Sequence, residues 1–272
     1  MDLMTIIVAA AGLWLFLAGA MGVAWLIDQR TGNSGWIDVS WTCAMGLAGL
    51  ISATGFFDIE SMTARQWLVS ALVTIWTARL AGHIANRTLR ISDDPRYKKL
   101  REDWGSSAPI KMFWLLQAQA ALSVPMALAI ALAAWNPAPV PQALDFVALA
   151  ILAAGLGGSA LADWQLSRFK QDHGQDGRVC DLGLWAWSRH PNYFFEWLIW
   201  FGVSLLAIDQ QNVWSWNLVA LAGPACMFWL LRFVSGVPPL EEHMLAKYGD
   251  RYRRYQQTTS PFFPLPPARP AT

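Results

Sequence analysis

Residues 160–196 read ALADWQLSRFKQDHGQDGRVCDLGLWAWSRHPNYFFE, a polar segment set between two apolar runs. Asp163 opens it just past a greasy stretch, and Arg168, Lys170, Arg178 and Arg189 gather cations along it. It closes on Arg-His-Pro-Asn-Tyr, with Glu196 already inside the next apolar run. Trp164, Trp185, Trp187 and Tyr193 lie among these charges, which a plain solvent-exposed loop does not need. The segment reads as a binding surface at a membrane boundary.

The rest of the chain agrees with a membrane setting. Of 272 residues 55% are hydrophobic and only 14% charged, whereas soluble domains carry about 25% charge. The 17 Trp and 13 Phe exceed ordinary core needs, and aromatics of this kind collect at membrane–water interfaces. A net charge of +1 offers no broad basic field, which excludes a nucleic-acid partner. Cys43, Cys180 and Cys226 are odd in number and far apart, so neither a disulfide framework nor a cysteine zinc site is expected. The first apolar run lacks a basic flank and exceeds a signal core, which marks it as a retained helix.

A bilayer core about 30 Å thick needs roughly 20 apolar helical residues. Runs meeting that need lie near 4–27, 36–57, 66–84, 110–135, 143–162, 194–208 and 213–235. The sixth is short, and borrows a first turn from Pro191-Asn192-Tyr193, where proline suits a helix start. The expected fold is therefore all-α, a single membrane-embedded domain over 1–272 with seven transmembrane helices. Lys and Arg crowd the connections 85–111 and 163–193 and the tail 236–272, while Phe57–Met62, Asn136–Gln142 and Asp209–Asn212 are cation-poor. By the positive-inside rule the N-terminus lies outside and the C-terminus in the cytoplasm. The segment 243–255 has helical spacing with Leu245, Tyr248, Tyr252 and Tyr255 near one face, which fits either a surface anchor or a cofactor lid. Past Ser260 the Pro-rich tail is expected to fray, with only Phe262 and Phe263 packing.

Polar groups at membrane depth are costly and mark function. Asp38 stands near the start of the second run with no cation within four residues. It reads either as a helix-capping acid or as a desolvated neutral acid able to donate to a substrate carbonyl. Arg79, His83, Arg87 and Arg90 share one face of the third helix by spacing, as snorkelling cations or as an anion seat for a phosphorylated cofactor. Asp93, Asp94, Arg96 and Tyr97 follow, the acids placed to pair with the arginines. Asp163 suits a ribose hydroxyl, an amide or a nearby cation. Lys170 and Arg178 suit phosphates from a flexible loop, and the sharp His190-Pro191-Asn192-Tyr193 turn offers the Asn192 amide. The four histidines lack metal-ligand spacing, so no metal is expected. Gly155-Leu-Gly-Gly158 follows no strand and reads as close helix packing, not a dinucleotide fingerprint. No convincing Ser-His-Asp arrangement is present.

Asp163-Trp-Gln-Leu-Ser-Arg-Phe-Lys170, Gly183-Leu-Trp and Ser188-Arg-His-Pro-Asn-Tyr-Phe-Phe-Glu196 resemble the C-terminal domain of the steroid 5α-reductases, most closely their bacterial relatives. Lys247-Tyr-Gly-Asp-Arg-Tyr252 with Pro261-Phe262 extends the likeness. The resemblance implies an inner-membrane oxidoreductase of lipid metabolism, its cofactor site facing the cytoplasm. Such an enzyme uses NADPH to saturate the double bond of a 3-oxo-4-ene steroid or a related lipophilic enone. It places cofactor contacts at Asp163, Lys170, Arg178, His190, Asn192, Tyr193, Glu196 and Arg232, beside the cations of 79–90. The carbonyl-binding acid falls on Asp38, shorter than the family's glutamate, and its tyrosine partner on Trp76 or Tyr97. The chain carries a second likeness in Arg189-His-Pro-Asn-Tyr193, Glu241-Glu242 and Tyr248–Tyr252, to the isoprenylcysteine carboxyl methyltransferases, which use S-adenosylmethionine. The surplus of cations at 79–90 and 168–178 suits the phosphates of NADPH better than a sulfonium cofactor. A non-enzymatic membrane scaffold is the third reading, and expects no tight nucleotide binding.

Overall fold

The computed structural model describes residues 2–55, 61–173, 176–212 and 215–268. Ten α-helices occur among them: α1 (Leu3–Thr31), α2 (Gly35–Thr54), α3 (Ala64–Thr88), α4 (Pro95–Trp104), α5 (Ala108–Ala134), α6 (Ala143–His173), α7 (Pro191–Ala207), α8 (Ala222–Trp229), α9 (Val237–Tyr248) and α10 (Asp250–Thr258). The described residues hold no strand, only one parallel bridge between Ser188 and Ser260. Among the described residues six helical stretches are long and apolar enough to cross a membrane, so the chain is an integral membrane protein. They are Leu3–Thr31, Gly35–Thr54, Ala64–Thr88, Pro95–Ala134, Ala143–His173 and Trp216–Tyr248. The expected sixth run differs: α7 has 17 residues, about 25 Å of helix at 1.5 Å per residue, short of the roughly 30 Å core.

Two compact units make up the chain, Met1–Ala148 with Val203–Cys226, and Leu149–Gly202 with Met227–Thr272. In the first, α1 packs on α2 and α5, and α2 lies along α3. A Cβ on Gly46 would fall 2.3 Å from Thr77 Oγ1; the missing side chain lets α2 and α3 approach closely, a packing device familiar in membranes. Local chemistry sets the ends. Thr63 and Gln66 form a reciprocal capping box at the start of α3. Asp94 caps α4 through Arg96 N, with Pro95 at the first helical position.

In the second unit, Gly155 and Gly158 face α7. Cβ atoms there would lie 2.7 Å from Ile199 Cγ1 and 2.4 Å from Phe195, so the glycines are close-packing residues as their sequence context indicates. Phe194, Trp197, Phe228, Phe262 and Phe263 form a chain of edge-on and tilted rings. After α8 the backbone loosens into a π-helical turn, Leu230–Val234, which carries Arg232.

Several sequence expectations shift. The connection 85–111 is mostly helical, since α3 runs to Thr88 and α4 follows, and Arg90 lies past the end of α3 instead of on its face. The α6 helix continues to His173, so Asp163 and Lys170 stand on a helix and not in a flexible loop. Gly249, at φ +55°, divides the segment 243–255 between α9 and α10. Tyr252 and Tyr255 are buried within the unit, which removes the aromatic face a surface anchor needs. The tail does not fray before Ala268: Phe262 is buried, Leu265 N donates to Trp187 O (2.9 Å) and Ala268 N to Thr258 O (2.8 Å). Asp58, Glu60 and Arg269, and the start of the 213–235 run, lie outside the described residues.

Candidate functional site

Two polar clusters, one in each unit, bring together some of the residues singled out above. In the first unit Asp38 has a cation after all. Arg96, 58 residues further along the chain, sets Nη2 2.5 Å from Asp38 Oδ2. The capping of α4 explains how it gets there. Asp94 takes Arg96 Nε at 3.0 Å and Nη2 at 3.0 Å, while Arg87 Nη2 grips the same carboxylate at 2.8 Å. Burial of Asp94 raises its pKa, but hydrogen bonds and charge from Arg96, then charge from Arg87, outweigh that, and the net shift is downward. Tyr97, the next residue, is buried and donates to Asp38 Oδ1 at 3.1 Å, while Gln119 Nε2 donates to its hydroxyl at 3.3 Å.

The pairing corrects the role expected of Asp38. Asp38 is paired with the Arg96 guanidinium and the Tyr97 hydroxyl, so it is not the lone acid its sequence neighbourhood indicates. The hydroxyl of Tyr97 is the hydrogen-bond donor of the pair. Between the two candidates for the acid's partner, Tyr97 reaches it. Trp76 is buried and packs edge-on to Trp41, with centroids 6.3 Å apart. Of the cation face, Arg87 is engaged by Asp94, and His83 and Arg90 are exposed; Arg79 is half-buried.

In the second unit Asn192 Nδ2 donates to Asp163 Oδ1 at 3.3 Å, joining the start of α7 to α6. His190 is buried, stacks flat on Tyr193 (5.5 Å between centroids, 11°), and sets Nε2 3.1 Å from Glu241 Oε1. That carboxylate also takes Arg189 Nε at 2.6 Å and Gln256 Nε2 at 2.9 Å. Burial lowers the pKa of His190 more than Glu241 raises it. The neutral ring therefore gives its single N–H to Glu241, and Nδ1 has no hydrogen-bond partner among the described residues. Lys170 and Arg178 are exposed, and Arg232 is half-buried with its guanidinium 5.1 Å from the Phe233 centroid. Glu196 is buried one helical turn past Asn192.

Arg96, Gln119, Glu241 and Gln256 complete the clusters without having been singled out as site residues. Arg96 was detectable: Asp-Asp-Pro-Arg-Tyr is a cap-and-proline helix start that turns the next side chains back on the acids. Glu241 was marked only as part of the acidic pair in the likeness to the isoprenylcysteine carboxyl methyltransferases.

The chain is 27% identical over 282 residues to an uncharacterized protein of Schizosaccharomyces pombe, covering 92% of this chain and 78% of that protein. No solved structure matches it significantly. The model of a family described as "Protein of unknown function (DUF1295)" matches residues 24–259, and the chain belongs to that family.

Proposed function

We propose that the protein is an NADPH-dependent membrane reductase that saturates a carbon–carbon double bond conjugated to a ketone on a lipophilic substrate, such as a 3-oxo-4-ene steroid. The observation that carries the reading is the Tyr97–Asp38 contact, a phenol held by a carboxylate beside the apolar run of α2. An aimed hydroxyl of this kind stabilises the charge that develops on a carbonyl oxygen. The second unit suits the cofactor. Asp163 and Asn192 offer acceptor and donor for ribose and amide groups, and Lys170, Arg178 and Arg232 offer cations for phosphates.

NADPH, when bound, supplies the hydride that the β-carbon receives. Tyr97 turns its O–H from Asp38 to the ketone oxygen, where the displaced π electrons collect. Arg96 holds Asp38 in place meanwhile, and Gln119 fixes the phenol oxygen. The α-carbon then takes a proton from water, leaving the saturated ketone and hydroxide. In this reading α7 makes a seventh crossing, the N-terminus lies outside, and the cation-rich connections face cytoplasmic NADPH.

A second reading has one observation in its favour. Arg189 and His190 both turn onto Glu241, so the Arg-His-Pro-Asn-Tyr element gives its charge to the protein and not to a phosphate. That balance suits S-adenosylmethionine and methyl transfer. Asn192→Ala tests the reductase: affinity for NADPH falls by about tenfold, the worth of a hydrogen bond to a polar ligand group, with the melting temperature of the free protein retained. Unchanged affinity would take Asn192 out of the cofactor site.

A further inference from the structure

The connection 176–190 is fastened to the C-terminal tail along its length. Tyr255 donates to Trp185 O (2.5 Å), Ser188 Oγ to Phe262 O (2.8 Å) and Arg189 N to Ser260 O (2.8 Å). These bonds lie near the α7 end and are buried. At the other end one side chain does the fastening. Arg251, on α10, donates from Nη1 to Asp176 O (3.1 Å) and Gly177 O (2.8 Å). Two features prepare that turn for it. Gly177 has φ +62°, and a Cβ there would press on Arg251 Nη1 at 3.3 Å, so glycine both allows the turn and leaves room for the guanidinium. Asp176 Oδ2 meets His173 Nδ1 at 3.2 Å, anchoring the turn to the last residue of α6. Arg178 comes next in the chain, exposed and engaged in no described contact.

We propose that Arg251 is a positioning residue for the phosphate end of the cofactor: by holding the Asp176–Gly177 turn it sets Arg178 where a phosphate or pyrophosphate can take it. The inference rests on the reductase reading and gives α10 a task that neither a lid nor a surface anchor describes. An arginine suits it because one terminal nitrogen, Nη1, carries two N–H groups and meets both adjacent carbonyls.

The test uses the full chain in detergent, with trypsin and mass-spectrometric detection of cleavage after Arg178, in the presence and absence of NADPH. Proteolysis of a loop follows the population of its open form. In Arg251→Gln, cleavage after Arg178 rises by about tenfold, and the NADPH concentration giving half-maximal protection rises by a similar factor, as expected for loss of a charged hydrogen bond. Arg251→Lys, which keeps one contact, falls between. Gly177→Ala separates position from charge, since it disturbs the turn and leaves every cation in place. It is expected to weaken NADPH protection as Arg251→Gln does. Unchanged cleavage in both variants overturns the proposal. So does faster cleavage with undiminished NADPH protection, or weakened protection in Arg251→Gln alone, which would be an effect of charge. Absence of NADPH protection in the unmodified protein, with saturating S-adenosylmethionine protecting instead, overturns the reductase reading and this inference with it.

Discussion

Arg65–Asp145 and Arg96–Asp38 are both arginine–aspartate pairs of the first unit, and their surroundings give them different work. Arg65 and Asp145 are 2% and 1% exposed. Arg65 meets the carboxylate through two nitrogens at 2.9 and 3.0 Å and also donates to the carbonyls of Leu206, Ala138 and Pro139. Asp145 accepts from Gln142 N as well. That pair is sealed, and it ties the starts of α3 and α6 to the end of α7. Arg96 and Asp38 are 23% and 22% exposed. They form one link of a chain running Arg87, Asp94, Arg96, Asp38, Tyr97 and Gln119, in which the Tyr97 hydroxyl joins the carboxylate of Asp38 to the amide of Gln119. A sealed pair fixes geometry; the partly exposed one orients the hydroxyl of the buried Tyr97.

Breaking the sealed pair has the largest effect on folding. Arg65→Ala strands a buried carboxylate and lowers stability by about 3–5 kcal/mol, read as denaturation in detergent. Replacing both partners, Arg65→Met with Asp145→Leu, strands no charge and costs less than the single change. The same loss in both would mean that the carbonyl contacts, and not the ion pair, carry the clamp. Breaking the open chain acts on chemistry. Tyr97→Phe lowers kcat for an enone substrate by about 100- to 1000-fold, the range for one lost oxyanion donor, while folding loses about 1 kcal/mol for the hydrogen bond. Retained turnover would remove Tyr97 as the donor.

The smallest effects come from pH. The pKa of folded His190 lies below 6.5, so the unfolded chain binds a proton that the folded one refuses. Its contribution is complete above 6.5 and declines as pH falls toward the folded value. Asp94 is depressed below 3.8. Its contribution persists above that value and is lost only as pH falls through the folded one. Melting temperature against pH is expected to decline in these two separate regions, and Asp94→Asn to show a smaller decline in the more acidic one. An unchanged acidic region in that variant would show that Asp94 does not hold the open chain together.

The contrast also explains what could be read from the amino-acid order. Apolar run length located six stretches long enough to cross a membrane, though not the expected run 194–208, and glycine spacing at Gly155 and Gly158 marked a close approach, because both are local properties. Asp163 and Asn192, from the resemblance, do meet, as do Asp38 and Tyr97. What escaped was long-range. A search within four residues of Asp38 misses Arg96 because only the fold of α4 against α2 brings it there. Arg65 and Asp145 sit at the edges of apolar runs, 80 residues apart, and nothing in either neighbourhood names the other. Charge within an apolar run was the available signal. The split of 243–255 at Gly249 was local, but helical spacing continued through it and concealed the break.

The central claim is an NADPH site, and its most direct measurement is the melting temperature of the purified protein with NADPH and with S-adenosylmethionine in turn. A ligand bound only by the folded state adds about 2.7 kcal/mol at one hundred times its Kd. The reductase account predicts a rise with NADPH and none with S-adenosylmethionine. A rise with S-adenosylmethionine alone would contradict it and assign the cluster around Asn192 to methyl transfer.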